Sequence, residues 1–473
     1  MQDWSKISRM PANNIKKLQD ELLSKIVQDE IFSNHPYYSN LFKSQGLDPT
    51  AIKGRSDLDN IPFTSKQDML SSEHDPERAK RFILQVPEGL KSTPKPKKFA
   101  LLGRKCAEPD PTEYRMSQLF YTKGNDLDPI PIVYTRYDLN NLEETGTRLN
   151  DILNLKRDDT MLNAFSYAPH ISVWQLFHSA MTLGATALHS GGGRVLGMEK
   201  IILAMNNMGA PVLVSHPLFV LATLQTMLRQ KTDAPSLERV IIGMDYAPMV
   251  VVESIKELML QCKAANNLVQ RVYFLSMAKA GFAECSPGFG YHLNPDQILV
   301  EIINPQTGKS LGEGEKGEIV ITNLDSRGTL VLRFRTGDLT TGGLSSEPCP
   351  NCGHTVPRIL GDIEHRHDYY DLISEKASVV FNGNALRRYM FGCKDVLAWH
   401  AEIVSKNGND SLNITVKPAG GINEEELATK LQNDIREEHR LAVAVKKGSY
   451  EAITNKIGLE SGISVKQIFD LRQ

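Results

Sequence analysis

Cys349-Pro-Asn-Cys352-Gly353 is a Cys-x-x-Cys knuckle in which a glycine lets the backbone turn until both thiolates face one ion. Cys285 and His292, seven positions apart in the glycine-rich run AECSPGFGYH, offer a second pair of ligands. Three thiolates and one imidazole make a closed tetrahedral set, which suits structural Zn²⁺ better than a catalytic ion with an open position. Two other readings stay open at this level, a reduced knuckle beside a buried Cys285 and a redox pair. The second is disfavoured because Cys349 follows a proline loop and does not open a helix that would stabilise its thiolate.

Asp338, in Phe-Arg-Thr-Gly-Asp-Leu, stands after a glycine turn, where a carboxylate can accept charge-assisted hydrogen bonds from a ribose diol or simply close a turn. The polar loop between Tyr121 and Tyr134 is placed to meet phosphates with backbone N–H groups, yet it carries one glycine and two aspartates that repel them. Read alone it is a surface hairpin. His365-Arg366-His367-Asp368 holds metal-binding and acid–base residue types, but neighbouring side chains point apart on most backbones, so a polar hinge loop is expected. Ser-His-Asp, His-Glu-x-x-His, Walker and Gly-x-Gly-x-x-Gly signatures do not stand out.

The elements that must position these groups follow from periodicity. The first 45 residues carry apolar side chains at three and four spacing and read as amphipathic helices ending at Gly46 and Pro49. Residues 86–99, rich in Pro and Lys, read as an exposed loop. From about 118 to 280, short β-rich runs (LFYT, PIVYT, PVLVS, RVIIG, RVYFL) alternate with longer helical patterns, which predicts α/β layers around a largely parallel sheet with ligands beyond its strand ends. Residues 297–340 predict a small antiparallel sheet or barrel with glycine turns. The stretch 362–473 predicts a separate small α+β domain with the strand LNITVKP and helices over NEEELATKLQNDIREEHR and VKQIFDLR.

A chain of 473 residues exceeds one compact core, so two or three cooperating domains are expected. With 54 Lys plus Arg against 56 Asp plus Glu, the net charge of −2 supplies no global field for nucleic acid or an anionic membrane. No apolar run of spanning length and no secretory leader pattern is present, so a cytoplasmic location is expected, and six cysteines are too few for a disulfide scaffold.

Order and residues together resemble the phenylacetate-CoA ligase family of the adenylate-forming superfamily, which includes acyl-CoA synthetases and peptide-synthetase adenylation domains. PYYSNLFKSQGLDP with DLDNIPFTSKQDML is similar to its N-terminal signature, and Tyr134-Thr-Arg-Tyr-Asp-Leu139 to the segment after its phosphate loop. Gly243-Met-Asp-Tyr-Ala-Pro248 stands where the family has Gly-Ala-Glu-Pro, and Tyr273-Phe-Leu-Ser-Met277 in its Tyr-Gly-Leu-Thr-Glu slot. The run from Glu284 to Thr322, FRTGD and CPNCG…PRILG match almost residue for residue. The resemblance implies an α/β adenylate-forming fold, with a large region 1–361 binding ATP and a carboxylic acid and a mobile lid 362–473. It implies AMP-forming activation of a small, aromatic or otherwise specialised acid, then transfer to CoA, a carrier or an amine. Thr122 and Gly124 would serve the phosphates, Gly243 and Tyr273 the adenine and Asp338 the ribose, with Ser276 and Arg366 also in the nucleotide site, and Cys285, His292, Cys349 and Cys352 would hold the zinc. Similar proteins are often dimers.

Against the family pattern, the loop reads Thr122-Lys-Gly-Asn-Asp-Leu-Asp-Pro129 in place of Ser-Ser-Gly-Thr-Thr-Gly-Lys-Pro, and Met277 replaces the acidic Mg²⁺ ligand. Allowing an insertion, Arg366 and Asp368 restore an Arg-x-Asp in the hinge. The adenylating lysine falls on Ile463 or Ser464, with Lys456 and Lys466 nearby. Three functions remain: a divergent ligase, a protein of the same fold that has lost ATP chemistry and acts as a binding partner, and an ATP-independent acyl-transfer enzyme. An acyl pocket is expected from 163–174, Gly191 to Gly193 and the segment after Gly243, with Phe165, Tyr167, His170 and Trp174 as candidate walls.

Overall fold

A computed structural model describes residues 3–88, 111–122, 129–374, 377–460 and 465–472. Helices Ala12–Lys25 and Pro36–Gln45 open the chain, and the second stops where Gly46 takes a left-handed φ of 65°. Helix Arg136–Leu153 begins with a capping box, Thr135 and Asp138 each satisfying the other's backbone N–H. Asp138 also accepts the N–H of Arg327 and Gly328 and an ion pair of 2.9 Å from buried Lys279, so the cap fixes a distant loop as well.

The centre is a six-stranded sheet in the order Thr186–His189, Thr160–Asn163, Val212–Ser215, Arg239–Gly243, Leu268–Leu275, Ala280–Ala283. The first five strands are parallel and the last turns back antiparallel. Val212–Ser215 is buried at all four positions, as a strand covered on both faces requires. LFYT and PIVYT do not join this sheet. They form their own antiparallel hairpin, Met116–Tyr121 with Pro131–Thr135, because the short loop between them lets the strands pair locally.

A second sheet pairs Ile298–Ile303, Gly317–Asn323 and Phe334–Thr340 antiparallel, as the sequence predicts. It also takes two distant edges that the pattern does not reveal: Thr64–Ser65, parallel to Phe334 and Arg335, and Ile363–His365, antiparallel to Asp338 through Thr340.

The C-terminal stretch orders Ala442–Lys447, Asn409–Pro418, Val396–Lys406 and Ile468–Asp470 into a four-stranded sheet beside helix Glu424–His439, which Asn423 caps. The helix expected over VKQIFDLR is absent. Ile468–Asp470 is a strand parallel to Val396–Lys406, with Ile468 fully buried, since so short a segment gains more from a ladder and one core side chain than from a single helical turn.

Apolar side chains from Leu372 to Ile468 form one core of this stretch, while Ala398, Ile453, Ile457 and Leu459 join the core of the parallel-sheet helices. The small region is thereby packed onto the large one. No described helix is long and apolar enough to cross a membrane.

Candidate functional site

Two neighbouring strands end side by side at Gly243 and Leu275, and the residues that follow them meet a cavity of about 640 Å³. This is where a parallel α/β sheet presents ligands. Thr122, Tyr273, Ser276, Asp338 and Arg366 all line it, so five positions spread over 245 residues of chain come together. Gly243 does not line it. It lies beneath, where a Cβ would stand 2.5 Å from the Val272 carbonyl oxygen and 2.9 Å from the Phe274 ring, and its successors Met244 and Asp245 form the wall. Gly124 lies outside the described residues, as do Lys123, Asp126 and Asp128.

Asp338 is the focus of the polar wall. Its Oδ2 accepts the Tyr273 hydroxyl at 2.5 Å and its Oδ1 meets His365 Nδ1 at 2.6 Å. Burial pushes the Asp338 carboxyl up, but His365 and the Tyr273 hydrogen bond outweigh it and hold the group below the usual carboxylate range. Burial and the same carboxylate drive the Tyr273 phenol well above its ordinary value, so Tyr273 remains a donor. Thr122 Oγ1 accepts the Ile130 N–H at 3.0 Å, just beyond the paired strands Met116–Tyr121 and Pro131–Thr135.

On the other wall, His170 Nε2 lies 3.4 Å from Ser276 Oγ, with Met244 and Met277 beside them. Met277 occupies the place where an acidic ligand would serve Mg²⁺. A thioether is a poor partner for a hard cation, so the residues at that position do not fit magnesium. Of the aromatic candidates, only His170 reaches the cavity among the described residues. Phe165 is fully buried, with its ring edge-on to His216, Trp174 donates to the Ala168 carbonyl, and Tyr167 is exposed against Gly191.

The two lysine candidates separate. Lys456 is paired to Glu402 on the small region and is absent from the cavity wall. Lys466 lines a small cleft that shares Asp245, His365 and His367 with the main cavity.

Cys285, His292, Cys349 and Cys352 converge, with all four ligand atoms within 4.8 Å of one another. Cys285 and Cys349 sulfurs are 3.6 Å apart, and Cys352 Sγ is 3.3 Å from His292 Nε2. His292 Nδ1 donates to the Ala283 carbonyl at 3.2 Å, which leaves Nε2 as the ligand atom. Gly353, at φ 71°, donates to the Cys349 carbonyl and closes the knuckle.

Sequence reasoning missed Arg271. Nearly fully buried, it joins Glu284 at the base of the loop that carries Cys285, the Ala247 carbonyl and Asp362 at 2.7 Å. It also missed His365, whose signal was a histidine-rich run read as a polar hinge.

No family model matches the chain. It is 26% identical over 368 residues to the phenylacetate-coenzyme A ligase of Thermus thermophilus, covering 76% of this chain and 72% of that protein. With the phenylacetate-coenzyme A ligase of Escherichia coli K12 it shares 24% over 337 residues, 71% and 68% of the two chains. The structure of 2-hydroxyisobutyryl-CoA ligase in the postadenylation state superposes with a TM-score of 0.78 at 16% identity, over 98% of this chain and 91% of that one. The same enzyme in its thioesterification state gives 0.62 at 17% identity, over 99% and 92%. The chain is thus similar in sequence, along about three quarters of its length, to phenylacetate-coenzyme A ligases, and along nearly all of it shares the fold of 2-hydroxyisobutyryl-CoA ligase.

Proposed function

We propose that the protein is an AMP-forming ligase that activates a small carboxylic acid as its acyl-adenylate and passes the acyl group to CoA or another nucleophile. The observation that carries this reading is the meeting of Tyr273, Asp338 and Thr122 in one cavity at the ends of the parallel strands. A carboxylate is a poor electrophile, and joining it to AMP supplies a leaving group. In this reading Asp338 holds the ribose, Tyr273 and the backbone at Gly243 frame the adenine, and Thr122 and Gly124 meet phosphate. Ser276 and His170 face the reacting carboxylate, and Arg366 lies at the mouth. Region 362–473 is the lid, and Lys466, in a cleft that shares Asp245, His365 and His367 with the cavity wall, is favoured over Lys456 to approach the phosphate. Pyrophosphate release measured over a panel of aliphatic and aromatic acids, with CoA and amine acceptors, tests it. ATP-dependent turnover with at least one acid is expected, and none with any acid overturns it.

Met277 favours a second reading, in which the fold persists without ATP chemistry and the cavity serves binding or ATP-independent acyl transfer. Calorimetry with ATP and Mg²⁺ separates the two, since micromolar binding counts against it, and conversion of a preformed thioester or adenylate without ATP supports its acyl-transfer form.

The Cys285, His292, Cys349 and Cys352 set is proposed to hold one structural Zn²⁺. Tetrahedral Zn–S bonds of about 2.3 Å give sulfur separations of about 3.8 Å, close to the 3.6 Å between Cys285 and Cys349. When bound, the ion would supply cross-linking of the two loops and no open position for chemistry.

A further inference from the structure

Asp338 and His365 are direct partners in the antiparallel ladder between Phe334–Thr340 and Ile363–His365. Their side chains meet at 2.6 Å, Nδ1 to Oδ1, while Oδ2 takes the Tyr273 hydroxyl. A carboxylate held ionised can only accept, so the imidazole nitrogen facing it carries the proton. The ring is further fixed by stacking on His367, with centroids 5.1 Å apart and planes 13° from parallel. The His365 carbonyl accepts Asn384 Nδ2 at 3.2 Å, so its backbone is held from the small region too. A carboxylate offers about four lone-pair sites. Two are filled by these donors, which fix the plane of the group, and the others remain for a vicinal diol entering from the cavity.

We propose that His365 is a positioning residue of the nucleotide site, its Nδ1–H orienting the Asp338 carboxylate to accept both hydroxyls of a ribose. The proposal rests on the nucleotide-binding reading above. Without this donor the carboxylate would be held by Tyr273 at Oδ2 alone and could turn about that single contact, and a bidentate contact would lose its geometry.

The test is calorimetric binding of AMP and of 2′,3′-dideoxy-AMP to the full chain and to His365→Ala and His365→Asn. Asparagine places an N–H near the position of Nδ1–H, so it separates loss of the donor from loss of the ring. The wild type is expected to prefer AMP over the dideoxy analogue. His365→Ala should weaken AMP roughly tenfold while leaving the analogue unchanged, as expected for one charge-assisted hydrogen bond. His365→Asn should restore most of the preference. An unchanged preference in His365→Ala, or equal losses in His365→Ala and His365→Asn, overturns the proposal while the nucleotide reading stands. Failure of the wild type to bind AMP overturns both.

Discussion

Arg271 and Glu284 are joined by two hydrogen bonds of 2.6 and 2.8 Å with side chains 1% and 0% exposed, so this pair is an ion pair in the protein interior. Glu284 also accepts the N–H of Gly288 and Gly290, and Arg271 reaches on to Asp362. One guanidinium thus ties the Cys285 loop, the cavity wall and the strand leading to the small region. Removing Glu284 leaves the buried Arg271 with Asp362 as its remaining carboxylate partner, and removing Arg271 leaves the buried Glu284 with only the two glycine N–H groups. Glu284→Gln is expected to cost about 3 to 5 kcal/mol, read from urea unfolding. Arg271→Lys should recover little of the loss in Arg271→Ala, because a point charge cannot make the paired contact. A loss under about 1 kcal/mol in Glu284→Gln would show that the loop does not depend on the pair.

His35 gives stability a defined dependence on pH. Fully buried, it uses both ring nitrogens in the neutral form, Nδ1 accepting the Tyr38 N–H as the cap of helix Pro36–Gln45 and Nε2 donating to the Leu330 carbonyl at 3.1 Å. Burial lowers its pKa from 6.5 to about 4. The unfolded chain therefore binds the proton first as pH falls, so this contribution is present above about 6.5 and is lost between 6.5 and 4. A fall of about 3 kcal/mol across that window is expected from this residue, measured as the difference between unfolding free energies at the two ends. His35→Asn, which keeps a capping oxygen, should flatten the slope there. An equal slope in the variant would assign the effect to other groups.

The convergence of Cys285, His292, Cys349 and Cys352 was legible in the sequence because a Cys-x-x-Cys turn announces itself locally and Cys285 and His292 share one glycine-rich loop. Val212–Ser215, Arg239–Gly243 and Leu268–Leu275 were legible because burial on both faces writes them as continuous apolar runs, whereas the parallel strands Thr160–Asn163 and Thr186–His189 were not, the second being largely unburied. His365 was not, since its meaning depends on a ladder with Asp338, 27 residues away, and nothing in His-Arg-His-Asp says which side chain will face which strand. Thr64–Ser65 was hidden for the same reason at greater distance, pairing with Phe334 and Arg335. The final strand was misread because Val465 to Arg472 spaces its apolar residues in a way that fits one helical turn or one strand, and only the open edge of Val396–Lys406 decides between them. Arg271 stood unnoticed inside an apolar run, where burial of a charge is exceptional and its partner lies across the hairpin.

Metal analysis should find one zinc per chain, and Cys352→Ser should lose it. The knuckle backs onto the first residues of the chain, with the Thr355 N–H donating to the Ser8 carbonyl and His354 set 3.3 Å from Asp151. Losing the ion therefore loosens contacts on two sides. Chelator treatment is expected to lower stability by at least about 2 kcal/mol, a few degrees in melting temperature for a chain of this size. Because the proposed site is closed, catalysis at a temperature well below melting should persist. Activity lost in proportion to zinc while the fold stays intact would move the ion into the chemistry.

Lys456 and Lys466 lie 5.2 and 5.9 Å from the centroid of the Phe469 ring, yet of the two only Lys466 lines a cleft that shares Asp245, His365 and His367 with the main cavity. Lys456 is held by Glu402, which is itself kept ionised by that contact. If the cavity adenylates a carboxylate, a mobile cation approaching the transferring phosphorus stabilises the charge that develops there. Lys466→Ala is then expected to lower acid-dependent pyrophosphate exchange by roughly 100-fold with little change in AMP affinity. Lys456→Ala should leave exchange within about twofold and cost at most about 1 kcal/mol of stability from a surface pair. Equal exchange in Lys466→Ala and the wild type would remove this lysine from the reaction and leave the charge at phosphorus to be met by Arg366, which is the test's second variant.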